Sequence, residues 1–125
     1  MLSIYGVTIM GLAKKTLNSI YALPDVTYTN GIKTHEDWIV DGKYHRTDGP
    51  ARIEWFDDDG SLSIEEWLVE GKPHRLDGPA YILHPEQHTI EYWIYGIEFD
   101  ECKYEDAVKM YNSSKLAFVL KYKGI

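Results

Sequence analysis

The chain has 125 residues, 44% of them hydrophobic and 14% aromatic, which excludes a disordered chain and is enough to bury a core as one unit without staples. A formal net charge of −7, from 20 acidic against 13 basic residues, excludes a binder of nucleic-acid backbone unless positive charge is strongly segregated. Lone Cys102 excludes an internal disulfide, no Cys/His set has zinc spacing, and a reducing, cytoplasmic compartment is expected.

The opening residues Met1-Leu2-Ser3-Ile4-Tyr5-Gly6-Val7 have no basic leader ahead of an apolar stretch, and Lys14-Lys15 interrupts the early apolar residues. Neither a signal peptide nor a membrane span is expected. Ala13, Leu17, Ile20 and Tyr21 then recur at helical spacing until Pro24, which predicts a helix over residues 12 to 23. From Val26 onward the pattern changes to short runs rich in Trp, Ile, Val and Tyr, bounded by turn signals, which read as strands.

Six glycines in this region, Gly31, Gly42, Gly49, Gly60, Gly71 and Gly78, fall at intervals of 11, 7, 11, 11 and 7 because a 29-residue unit occurs twice. The units share the frame W-x-V-[DE]-G-K-x-H-R-x-D-G-P-A, from Trp38 to Ala51 and from Trp67 to Ala80. A third, eroded copy at Glu91-Tyr92-Trp93-Ile94-Tyr95-Gly96 keeps a tryptophan, loses one residue before the glycine and lacks the H-R-x-D-G-P-A half. Self-similarity at such a period predicts a repeat architecture.

Asn30-Gly31 is the dipeptide best suited to a two-residue type I′ turn, and Asp59-Gly60 is its expected equivalent in the next unit. The segments from Gly42 to Gly49 and from Gly71 to Gly78 read as longer connections. In them Asp48 and Asp77 are expected to bond the backbone, the following glycine to take positive φ, and Pro50 and Pro79 to open the next strand. Trp38 and Val40 fall on one strand face, as do Trp67 and Val69, while Leu62, Ile64 and Leu68 fall on the other. Both faces are apolar, so the terminal segments are expected to cover the second.

His84-Pro85-Glu86-Gln87-His88 has two histidines four apart, but Pro85 puts it in a surface turn without a third ligand, so neither metal nor cofactor is expected. Tyr104, Ala107, Val108 and Tyr111 predict a helix over residues 101 to 112, its start crowded by Asp100, Glu101, Glu105 and Asp106 where the helix dipole favours acid. Cys102 is expected to be a small buried residue at the strand-to-helix junction. Residues 116 to 122 read equally as helix or strand, and the stretch from Lys115 to Ile125 carries three lysines and no acid.

The expected fold is mainly β (α+β): a single domain, 1–125, with an N-terminal segment over 1–25, a meander of antiparallel β-hairpin repeats over 26–99 and a helical cap over 100–125. Over residues 26 to 112 the repeated H-R-x-D-G-P-A frame, the truncated third copy and the acidic helix resemble the MORN-like repeat proteins grouped with the YwqK-type antitoxins. The resemblance is to the variant found in bacteriophages and large DNA viruses. It implies strings of β-hairpins that contact proteins, and a viral chain would act in the host cytosol. The period of 29, longer than that of ordinary MORN units, and the acidic balance speak against membrane binding.

The chemically rich residues are His45, Arg46 and Asp48 and their copies His74, Arg75 and Asp77, beside Trp38 and Trp67. A histidine, an arginine and an aspartate within four residues have the chemistry for phosphate binding or acid–base work. Their duplication points instead to turn chemistry, with the His and Arg bonded to loop backbone or stacked on tryptophan and the Asp capping the turn. No phosphate loop, dinucleotide loop or nucleophile elbow is present, and Cys102 has no nearby base. The leading expectation is a non-enzymatic module that binds and neutralises a host defence protein. Its alternatives are a sponge for a small anionic nucleotide held by the His-Arg edges, and a small hydrolase using His45 or His74. Nucleic acid is not an expected partner, and open strand edges allow self-association.

Overall fold

The computed structural model describes residues 23–84 and 89–124. The helix expected over residues 12 to 23 lies outside the described residues except for Leu23, and so do residues 85 to 88 of the histidine-bearing turn. The described chain is mainly β, with one antiparallel sheet of seven strands, two two-stranded sheets and two helices.

In chain order the strands are β1 (Asp25–Thr29), β2 (Ile32–Asp37), β3 (Ile39–Val40), β4 (Lys43–Tyr44), β5 (Arg52–Trp55) and β6 (Leu62–Glu66). They continue as β7 (Leu68–Val69), β8 (Lys72–Pro73), β9 (Tyr81–Leu83), β10 (Thr89–Ile94) and β11 (Ile97–Phe99), followed by helices α1 (Glu101–Ser113) and α2 (Lys115–Tyr122). The large sheet runs β1-β2-β5-β6-β9-β10-β11, while β3 pairs with β4 and β7 with β8 outside it. β1 is exposed along its whole length at one edge.

A tryptophan marks each point where the chain leaves the large sheet. The Trp38 amide donates to the Ala51 carbonyl in the sheet at 2.7 Å, while its carbonyl accepts the His45 amide in the small hairpin at 2.8 Å. Trp67 does the same, donating to Ala80 at 2.7 Å and accepting from His74 at 3.1 Å. The strand expected to run through each tryptophan is therefore broken there, because the backbone groups of one residue serve two ladders.

The small hairpins turn at Asp41-Gly42 and Glu70-Gly71, with φ of 50° and 78° in both, and β10 turns into β11 at Tyr95-Gly96 with 51° and 78°. This is the paired left-handed geometry of a type I′ turn, as at Asn30-Gly31 with 52° and 82°. Asp59-Gly60 differs from its expected counterpart. Residues 57 to 60 form a longer loop closed by the Phe56 amide on the Ser61 carbonyl at 2.8 Å, and only Gly60 is left-handed. Three consecutive aspartates need room, and Asp59 caps the loop by accepting the Ser61 amide at 2.9 Å.

The third copy is offset from its sequence alignment. The Trp93 carbonyl accepts the Arg75 amide at 3.0 Å, as the Leu68 carbonyl accepts that of Arg46 at 3.1 Å. Tyr92, not Trp93, thus stands where Trp67 stands, four residues before its turn glycine, and no residue is missing.

The core lies at the C-terminal end, where Ile94, Tyr104, Ala107 and Phe118 are buried together. Helix α1 matches its expected span, and residues 116 to 122 are helical because Ser114 caps them, accepting the Ala117 amide at 3.1 Å. Phe118 is fully buried among Phe99, Tyr111 and Tyr122, with ring centres at 5.9, 5.3 and 4.9 Å. Cys102 is exposed, contrary to expectation, since α1 turns Tyr104 and Ala107 inward and Cys102 outward. No helix among the described residues is long and apolar enough to cross a membrane. Truncating the aromatic hub should be severe: Phe118→Ala is expected to lower unfolding free energy by about 3–5 kcal/mol in urea titration.

Candidate functional site: the histidine-arginine turns

Each Arg of the repeated motif is clamped between a tryptophan and a glycine. The Arg46 guanidinium carbon lies 4.1 Å from the Trp38 ring centre, and that of Arg75 lies 3.7 Å from the Trp67 ring centre. On the other side stand Gly49 and Gly78, where an added Cβ would come within 2.8 Å of Arg46 Cζ and 2.9 Å of Arg75 Cζ. These glycines supply space. Gly49 does not take the expected positive φ and Gly78 does, at 159°, close to extended backbone, while the left-handed residues sit at the turn tips.

The aspartates orient the guanidinium rather than the backbone. Arg46 Nε donates to Asp48 Oδ1 and Arg75 Nε to Asp77 Oδ1, both at 2.9 Å, while the NH1 groups donate to the Pro50 and Pro79 carbonyls at 3.2 and 3.0 Å. The proline carbonyl is thereby held without help from another strand. Asp48 and Asp77 are largely solvent-exposed, so their ion pairs add direction more than stability. The stacking contributes more, about 0.5–2 kcal/mol for each arginine.

The histidines tie neighbouring hairpins together. The Glu70 amide donates to His45 Nδ1 at 3.0 Å and the Tyr95 amide to His74 Nδ1 at 2.9 Å. Beside each of these bonds runs a main-chain bond, from the Gly71 amide to the Tyr44 carbonyl at 2.8 Å and from the Gly96 amide to the Pro73 carbonyl at 2.9 Å. Glu70 and Tyr95 are poor left-handed residues, and the imidazole helps to hold them in that conformation. An Nδ1 that accepts must be unprotonated, so both rings are the Nε2–H tautomer. Burial, and then the charge of Lys115, push the His74 pKa below its ordinary value.

The two copies differ in their surroundings. Glu36 accepts from Trp38 Nε1 at 2.9 Å, pairs with Lys33 and lies 3.8 Å from Arg46 NH1. Burial raises its carboxyl pKa, but those hydrogen bonds and positive charges outweigh it and the pKa is lowered. The matching Glu65 instead meets His84 Nε2 at 2.7 Å, which places His84 of the histidine-bearing turn in an ion-pairing position. Among the described residues no group of three or more His, Cys, Asp or Glu could hold a metal ion.

Tyr104 went unnoticed as a site residue in the sequence. Its hydroxyl lies 2.5 Å from the Arg75 carbonyl and 2.9 Å from that of Gly78, and accepts the Gly78 amide at 3.2 Å. Its ring packs on Tyr92 at 4.7 Å, so the aromatic that stands in for Trp38 and Trp67 is covered by a helix side chain where no arginine exists. The only sequence signal was a buried-face tyrosine in the first turns of an acidic helix.

Two outcomes check this geometry. Gly49→Ala should cost about as much as Arg46→Ala, roughly 1–2 kcal/mol each. Gly49→Ala should become nearly neutral once Arg46 is alanine, as read by a double-mutant cycle in urea. For His74, the unfolded chain takes up its proton near pH 6.5 while the folded chain resists it, so stability falls as pH drops below that value. His74→Asn keeps an acceptor for the Tyr95 amide and should flatten that part of the stability profile, measured by unfolding at pH 7.5 and 5.5.

No protein-family model, curated protein or solved structure matches this chain.

Proposed function

We propose that the chain is a non-enzymatic, MORN-like scaffold of 29-residue hairpin units that binds a host protein and neutralises it, in the manner expected of an anti-defence protein of phage or viral origin. The observation that carries this reading is the use made of the motif in both copies. Each arginine gives its Nε and one terminal nitrogen to its own loop, and each histidine gives Nδ1 to the next turn. Groups so engaged are poor choices for a general base, which needs a free lone pair near the substrate, or for a bidentate anion grip.

What remains for contact is a broad surface of strands and turn tips with exposed Tyr28, Phe56 and Tyr95, on an acidic chain. Aromatic residues favour protein interfaces, and a net negative chain steers toward a basic partner. The origin and the role of the target rest on the resemblance of the repeated motif.

The test is affinity capture from host extract with the full chain, set beside a His45→Asn/His74→Asn variant that keeps both amide acceptors. A stoichiometric partner retained by both proteins, and released with rising salt, is the expected outcome. Background alone, or a turnover activity lost in the histidine variant, would sink the proposal.

A further inference from the structure

Two lysines of this acidic chain, Lys72 and Lys115, line one groove. It has a volume of about 450 Å3 and lies between the second and third turn tips and α2, within the ~300–1,000 Å3 of small-ligand sites. Val69, Leu116 and Val119 give it apolar walls, and the rings of Tyr95 and Tyr111 face it. Lys72 and Lys115 stand at its rim, with Glu70 the one carboxylate among its lining residues.

Lys72 Nζ lies 4.6 Å from the Tyr95 ring centre and Lys123 Nζ 5.0 Å from the same centre. The two ammonium groups are therefore within one Debye length of each other, about 10 Å at 0.1 M salt. Lys115 Nζ lies 5.5 Å from the Tyr111 ring centre. Among the described residues Lys72 and Lys115 are in no ion pair, so both ammonium groups are open to an anionic ligand. On a chain of net charge −7, two lysines against one carboxylate, Glu70, in the groove lining make a local positive field against the overall sign.

His74 adds a neutral donor. Its Nδ1 is taken by the Tyr95 amide, so its proton is on Nε2, and the ring lines the groove. Burial and Lys115 both oppose a second proton, which keeps the ring a donor without charge near pH 7.

We propose that this groove binds a small organic phosphate carrying a flat ring, of the nucleotide class. Lys72 and Lys115 meet the phosphate as point charges, His74 Nε2–H donates to it, and the apolar and aromatic lining, Val69, Leu116, Tyr95 and Tyr111, packs against the base. A phosphate suits the cluster better than a single carboxylate, because its greater charge answers more than one ammonium group. The site uses neither arginine of the repeated turns, and it shares only Tyr95 with the surface offered for protein contact.

Calorimetric titration of the full chain with AMP, GMP and UMP tests it, with adenosine and inorganic phosphate as the two halves of a ligand. Saturable binding of at least one nucleotide is expected, tighter than either half alone. Lys72→Gln and Lys115→Gln, which keep the aliphatic stems, should each raise its Kd about tenfold or more with an unchanged melting temperature. Lys121→Gln, outside the groove, should leave it unchanged. Absence of saturable binding at millimolar nucleotide, an affinity in either groove variant unchanged from the original chain, or binding of an acidic hexapeptide in place of nucleotides would each overturn the assignment.

Discussion

A guanidinium held flat against an indole fixes the geometry on which the rest of each unit depends. The indole belongs to the residue at which the chain changes ladders, so the stack stiffens the one point where the backbone must serve two directions. The same arginine reaches the proline carbonyl that begins the return strand, and this sets where that strand rejoins the sheet. Tryptophan, arginine, glycine and proline are spread over thirteen residues of sequence in each copy, from Trp38 to Pro50 and from Trp67 to Pro79, yet they form a single contact. Loss of any one leaves the others without a partner, which is a sufficient physical reason for the motif to recur whole.

Much of this was legible in the residues, and the failures have identifiable causes. Asn30-Gly31 makes the turn its dipeptide chemistry predicts, whereas the segments starting at Gly42 and Gly71, which read as longer connections, open with the tight turns of two small hairpins. The loop at Asp59-Gly60 was misread because two letters fit a tight turn while the run of aspartates before them decides the length. Trp93 was matched to Trp67 by identity, whereas main-chain bonding aligns Tyr92 with it. Side-chain likeness and backbone register are separate properties, and only the second sets position in a sheet. The Tyr104 contact joins a helix to a loop 26 residues earlier, a distance that no local periodicity reports. Residues 116 to 122 were undecidable because so short an apolar run fits either period until its Ser114 cap is seen.

Charge is distributed with the same economy. Three sheet acids have close basic partners, Glu66 in Arg52, Glu36 in Lys33 and Glu65 in His84, whereas Asp37 keeps a buried Oδ1 without a hydrogen-bond partner among the described residues. Those pairs join residues on one strand or close to one another across neighbouring strands. Among the described residues the aromatic cluster is concentrated under the two helices, while the rest of the chain buries only Ala51, Leu68, Ala80 and Thr34.

The bonds between successive hairpins have a directional character. What His45 offers to the Glu70 turn is what His74 offers to the Tyr95 turn, and each turn receives it through a backbone amide, which every residue but proline carries. A copied unit inserted between them would find a matched neighbour on both sides, so such a chain can lengthen by duplication with little redesign of its joints. Tyr104 breaks that pattern, because it covers Tyr92 from a helix where Trp38 and Trp67 are covered by an arginine of their own loop.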